Sequence, residues 1–164
     1  MPFNLEYLNE FEILKTERDV DAVLIEKHVY RFYKENENKS ICYRCENYQN
    51  KEKPCKTSIT LAICEETRKL YYASKSTVHS CLALTDDEIG RRRALVKIKE
   101  ELKNTCLKKI LSNSEIKLIF DQHKQNYVKQ YGEEAGKKLL YTSFNKTLSK
   151  MANEITKSIG LTLI

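Results

Sequence analysis

Cysteine and histidine are the side chains of this sequence whose spacing points to a defined chemistry. Cys45 and Cys55 bracket the nine-residue polar loop ENYQNKEKP, and twenty-three residues further on comes His79-Ser80-Cys81. Thiolates and neutral imidazoles held tetrahedrally at about 2.0–2.3 Å make a structural zinc site. One cysteine at a strand end and another beyond the next turn bring two sulfurs together across a hairpin. His79 and Cys81 are two positions apart, so an extended segment points both to one side. The expected metal set is therefore Cys45, Cys55, His79 and Cys81, with zinc as the cofactor.

Cys42 competes for a place in that set, because Cys42-x-x-Cys45 has the spacing of a redox dithiol or half a zinc knuckle. The strand-to-helix context that depresses a redox thiol's pKa is missing, and a strand sends positions three apart to opposite faces. Cys42 is read as a core residue on these grounds, although its substitution for one of the four ligands stays open. Cys64 and Cys106 read as structural. His28 and His123 have no ligand-like neighbours in sequence and read as ordinary polar positions. The competing reading of the whole set is inert cysteine in a small core. A closed four-ligand zinc has no open position for catalysis. The sequence also has no Gly-rich phosphate loop, activated serine arrangement or paired catalytic carboxylates, so the chain is read as non-enzymatic.

The elements that must position these residues change character near Thr85. Up to there, FEILKT, DAVLIEKHVYRFYKEN, SICYRCEN, TSITLAIC and KLYYASKSTVHSCLAL are rich in Tyr, Val, Ile and Thr and are parted by polar turns. They predict an antiparallel sheet of four or five strands, with Phe32, Ile41, Tyr43, Ile59, Leu61, Ile63 and Tyr71 in its core. A sheet this small commonly needs a staple such as a metal. Beyond Thr85 the apolar period becomes helical. A capping box at Thr85 and Glu88 opens a first helix carrying Ile89, Leu95, Ile98, Leu102 and Leu107. Ser114 before Glu115 opens a second helix, which stops at Gly132. A third helix has Leu139, Leu140, Phe144, Leu148, Met151 and Ile155 along one stripe. The fold class is thus α+β, with a zinc-stapled sheet at 1–85 and a basic segment of about three helices at 86–164.

With 41% hydrophobic and 32% charged residues, the 164-residue chain has the composition of a folded domain rather than a disordered one. No run approaches the ~18–20 apolar residues of a membrane span, so no membrane partner is expected. The N-terminus does not read as a secretory signal. The implied compartment is reducing, where six cysteines are thiols or ligands rather than disulfides. The net charge of +6 rises along the chain, from −3 over residues 1–40 to +3 over 41–85 and +6 over 86–164. That gradient suits a polyanion partner.

The aromatic and cysteine order resembles a known family. YRFYK at 30–34 and CYRC at 42–45, followed by Cys55, His79 and Cys81, resemble the FLYWCH zinc finger and the related WRKY superfamily. Leu24, Tyr30, Phe32 and Tyr43-Arg44-Cys45 follow the family's order, with Tyr43 in the place of its Trp. His79-Ser80-Cys81 departs from a terminal His-x-His, but His-x-Cys endings occur among WRKY domains. The resemblance covers roughly residues 10–83. It implies a zinc-stapled antiparallel sheet and sequence-specific DNA binding through the aromatic-basic strand. Carried onto this chain, the DNA contacts are Arg31, Tyr33 and Lys34, with Lys39 nearby. Arg44 and Lys56, together with Lys53, are the backbone contacts beside the metal. Strand periodicity sets Arg31 and Tyr33 on one face and Tyr30, Phe32 and Lys34 on the other. YKEN replaces the glycine-rich YGQK motif, and Glu35 and Glu37 would repel phosphate if they shared its face.

Fingers of this kind also resemble the N-terminal part of Mutator-type transposases, which implies a transposon-derived or transcription-regulatory module. Arg91-Arg92-Arg93 with Lys97, Lys99 and Lys103 suits a nuclear-localisation or phosphate-contact patch. The expected location is the nucleus, with the C-terminal helices supporting a homo- or hetero-oligomer. The alternatives are a protein-interaction adaptor with a purely structural zinc, and an RNA-binding module using stacked tyrosines.

Overall fold

The computed structural model describes residues 5–15, 21–76 and 78–160. It divides into two compact units, residues 1–85 and 86–164. The first contains six strands: β1 (Glu12–Lys15), β2 (Asp21–Ile25), β3 (His28–Glu35), β4 (Ile41–Cys45), β5 (Ser58–Ile63) and β6 (Leu70–Lys75). They lie in chain order, and each is antiparallel to the next.

The expected four or five strands become six because DAVLIEKHVYRFYKEN is two strands, not one. Ile25 pairs with His28, so Glu26 and Lys27 form a two-residue turn, with φ of 49° and 61°. Both central residues at positive φ define the type I′ geometry that matches strand twist. Glu and Lys are not the Asn and Gly that usually signal such a turn.

The sheet is curled. Tyr7 bridges Tyr71, and the Leu8 N–H donates to the Leu70 carbonyl at 2.9 Å, so the chain before β1 lies along the outer edge of β6. Glu12 of β1, at the opposite edge, comes only four positions after Leu8. Four residues span at most about 14 Å, so the two edges must approach each other. Inside the curl Leu8, Val23, Ile25, Tyr30, Ile59 and Leu61 form the core, with Tyr43, Leu70 and Tyr72 packed against it. Phe32 and Ile63 are corrections to the expected core, at 42% and 60% exposed. Exposure along β3 switches after Tyr30, so the far half of the β3–β4 hairpin projects beyond the cluster. Ile63 ends β5.

The second unit contains α1 (Asp86–Cys106), α2 (Asn113–Tyr131), the short α3 (Glu133–Gly136) and α4 (Tyr141–Ser158). Asp86, Asp87 and Glu88 open α1 at the end of the helix dipole that favours acids. The cap of α2 is Ser112, not Ser114. Its hydroxyl accepts from the Glu115 N–H, while the Glu115 carboxylate accepts from the Ser112 N–H. The expected third helix is broken at Lys137–Leu140, leaving α3 as a single turn. Leu95, Ile98, Leu102, Phe120, Leu139, Phe144 and Leu148 join the core of this unit. Leu107, just past the end of α1, is 51% exposed. No helix among the described residues is long and apolar enough to cross a membrane.

Candidate metal centre

Cys45 ends β4, and its N–H donates to the Thr57 carbonyl at 2.9 Å. The chain then turns, with the Tyr48 N–H donating to the Cys45 carbonyl. The Asn50 carboxamide oxygen accepts from the N–H groups of Glu52 and Lys53, folding the polar loop back. The return is fixed where the Cys55 N–H donates to the Asn47 carbonyl at 3.0 Å. Two side-chain bonds hold the segment carrying the other ligands against this loop. The Thr57 hydroxyl donates to the Val78 carbonyl at 2.9 Å, and the Ser80 hydroxyl donates to the Pro54 carbonyl at 3.2 Å.

These elements bring Cys45, Cys55, His79 and Cys81 together, with all four ligand atoms within 4.8 Å of one another. Cys45 Sγ is 3.6 Å from Cys81 Sγ, and His79 Nδ1 is 3.4 Å from both Cys55 Sγ and Cys81 Sγ. A tetrahedral ion with bonds of about 2.0–2.3 Å spaces its donors about 3.3–3.8 Å apart. The closest distances fall in that range, so the four residues can hold a metal ion. Cys42 lies outside the cluster, half-buried in β4 and paired with Lys34 and Thr60. Cys106 is in the helical core, where burial pushes its thiol up.

The thiols differ in how readily they ionise. Burial alone would raise Cys55, but bonds from the Thr57 hydroxyl and N–H and from the N–H groups of Cys81 and Ser80 bring it down to about 4. Cys45 is pushed well up, by burial first and then by the neighbouring thiols of Cys81 and Cys55. One thiolate is thus ready, and a second beside it resists ionisation until a cation compensates. A dication meets that requirement.

Two residues around the four were not legible as site residues. The Tyr30 oxygen lies 2.7 Å from His79 Nε2, which leaves Nδ1 facing the sulfurs. With a metal on Nδ1, the proton sits on Nε2 and is donated to the Tyr30 oxygen. The His28 ring stacks on His79 with centroids 3.6 Å apart and planes at 8°, and its Nδ1 is 3.7 Å from Cys81 Sγ. The reading of His28 as an ordinary polar position is corrected by that contact. Its pKa is lowered, by burial first and then by His79. A signal was present: the run DAVLIEKHVYRFYKEN is far longer than the usual strand of five or six residues, and its polar break EKH marks the turn. His123 belongs to the helical unit, where its Nε2 lies 2.6 Å from a Glu101 carboxylate oxygen.

Most of the residues expected at DNA run along the β3–β4 hairpin, from Arg31 and Arg44 next to Cys45 to Lys34 and the turn that carries Lys39. Arg31 pairs with Arg44 across β3 and β4. The register shifts between Phe32 and Lys34, which leaves Tyr33 as the extra residue of a bulge. Lys34 pairs with Cys42, two residues from Arg44, so the bulge moves Lys34 onto the Arg31 face. That corrects the simple alternation, which sets it beside Phe32. Glu35 pairs with Ile41, on the opposite face from the cations. The Arg44 guanidinium carbon lies 3.2 Å from the Tyr33 ring centroid and 4.5 Å from that of Tyr48. Lys56 covers the Tyr48 ring at 4.4 Å and donates to the Tyr48 carbonyl at 2.9 Å. Lys39 is exposed in the Asn36–Ser40 turn, with φ of 61°. Arg31, Tyr33, Arg44 and Tyr48 also line a cleft of about 130 Å³, together with Glu46.

No family model matches the chain, and neither does any curated protein or solved structure.

Proposed function

We propose that residues 1–85 form a zinc-stapled, non-enzymatic DNA-binding module of the FLYWCH and WRKY type, acting in the nucleus as a transcription-regulatory or transposon-derived factor. The observation that carries the reading is the convergence of Cys45, Cys55, His79 and Cys81 at tetrahedral spacing. A Cys₃His set suits zinc, and four protein ligands leave a closed, structural site. Bound zinc supplies charge compensation and a cross-link between the Cys45–Cys55 loop and the His79–Cys81 segment.

The DNA part of the reading is supported by the face that carries Arg31, Tyr33, Lys34 and Arg44. Arginine addresses guanine through two parallel hydrogen bonds, and lysine neutralises phosphate. Stacking under Arg44 and Lys56 occupies the Tyr33 and Tyr48 rings. That favours a polar, phosphate-directed surface over the open aromatic platform that unpaired RNA bases need. The C-terminal helices serve as the oligomerisation or docking part.

The test measures metal content and DNA affinity on one preparation. The expected result is one zinc per chain, lost in Cys55→Ser, and duplex affinity that falls steeply as salt rises. Arg31→Ala with Lys34→Ala weakens binding at least tenfold while zinc is retained. Absence of bound zinc, or affinity indifferent to salt, overturns the reading.

A further inference from the structure

The helical unit has a polar cavity that the proposed sheet function does not use. In α1, Arg93 and Lys97 are both exposed and lie four residues apart, which places them one above the other on a single helix face. Facing them from α2 are His123, Asn126 and Gln130, around a cavity of about 380 Å³ that is also lined by Tyr131. Two cations, two carboxamides, an imidazole and the phenols of Tyr127 and Tyr131 line this space, and no carboxylate does. The acids Glu100 and Glu101 line an adjoining cavity that shares only Lys97 and His123 with this one. Glu101 is itself engaged by His123 at 2.6 Å.

One wall is built to close tolerance. A Cβ at Gly90 would fall 2.3 Å from the Tyr131 ring, so glycine there lets the ring lie directly on the α1 backbone. The Gln130 side-chain amide donates to the Tyr131 hydroxyl at 3.1 Å, fixing both groups at the rim.

We propose that this α1–α2 cavity is a phosphate-binding site. Arginine and lysine supply charge-assisted bonds to phosphate oxygens, and side-chain amides donate further ones. No carboxylate lines the cavity itself; Glu100 and Glu101 line the adjoining one, where His123 engages Glu101. The site lies wholly within residues 86–164 and does not depend on the metal centre. Its phosphate comes either from a nucleic-acid backbone or from a free phosphorylated ligand.

The experiment follows the side-chain amide signals of Asn126 and Gln130 by NMR in the full zinc-loaded chain. It is titrated in one arm with sodium pyrophosphate and in the other with a short DNA duplex. Lys97→Ala is compared with Lys146→Ala, which removes one exposed charge from α4 outside the cavity. The expected result is saturable shifts in at least one arm, with affinity reduced about tenfold by Lys97→Ala and unchanged by Lys146→Ala. Shifts in the duplex arm assign the phosphate to nucleic acid. Shifts with pyrophosphate alone assign it to a free ligand, and this outcome supports the site even if the DNA reading of the sheet fails. Absence of shifts in both arms, or equal losses in the two variants, overturns the proposal.

Discussion

At Tyr30 a single oxygen, 2.7 Å from His79 Nε2, decides which imidazole nitrogen meets the sulfurs. Burial, ahead of the nearby Cys45, pushes the Tyr30 phenol up, so it stays neutral and adds no charge beside the thiolates. Such outer partners fix the tautomer and orientation of a metal-bound histidine, and their loss typically costs about 10–100-fold in metal affinity. Tyr30→Phe is therefore expected to weaken zinc binding by about that factor in competition with a chromophoric chelator. Cys42→Ser is expected to leave it unchanged. Equal affinities for Tyr30→Phe and the native chain would remove the tyrosine from the site. The four ligands were legible because a loop bracketed by cysteines and a His-x-Cys pair carry their geometry in short spacings. Tyr30 and His28 were not, because their places near His79 arise only from pairing between distant segments.

Elements carry the next layer, and the turn at Glu26-Lys27 is the first case. Both residues occupy the left-handed region, which costs an L-residue with a Cβ roughly 1–2 kcal/mol. Replacing the pair with Asn-Gly is expected to stabilise the sheet by about 1–2 kcal/mol, read as a higher urea midpoint for the zinc-loaded protein. An unchanged or lower midpoint would show that the native side chains contribute more than the strain costs. The same turn explains the sixth strand, since a type I′ hairpin without Asn or Gly lacks the usual turn residues and shows itself only in the length of the run and its polar break. Likewise the bulge at Tyr33 leaves no mark in YRFYKE, yet it gathers Arg31, Tyr33 and Lys34 on one face.

In the helical unit the sequence points to Ser114, directly before Glu115, whereas the cap is Ser112, three residues ahead of that acid. Ser112→Ala is expected to cost about 1 kcal/mol. The Lys109 ammonium first, and then the Ser112 N–H and hydroxyl, hold the Glu115 carboxyl at about 2, below its ordinary 4.5. Its folded pKa is depressed, so its contribution is fully present above pH 4.5 and is lost as pH falls towards 2. Urea titrations of native chain and Glu115→Gln should therefore differ at pH 6 and converge near pH 2. A gap independent of pH would show that the carboxylate's charge is not what stabilises the cap.

At the scale of the whole molecule, each unit has an apolar core of its own. The cluster around Val23, Tyr30 and Ile59 contains only residues of the sheet unit, and the one around Ile98, Phe120 and Leu148 contains only helical residues. The change of texture near Thr85 made two kinds of structure legible in advance, because strand and helix periods differ over long windows. The curl of the sheet was not legible, since residues 6–8 pair with β6 without a strand-like run of their own. Magnitudes then separate the responses of the two units to metal loss. Structural zinc sites contribute about 10–16 kcal/mol of apparent binding free energy. A unit of 85 residues is stable by only about 4–13 kcal/mol. Stripping zinc with a strong chelator therefore removes as much free energy as keeps the sheet folded, while the helical core contains none of the four ligands. Hydrogen exchange followed by mass spectrometry should show β3, β4 and β5 losing protection on chelation, with α1, α2 and α4 keeping theirs. Re-addition of zinc should restore the strands. Simultaneous loss of protection in strands and helices would show that the two units fold as one, and unchanged strands would show that the sheet stands without a metal.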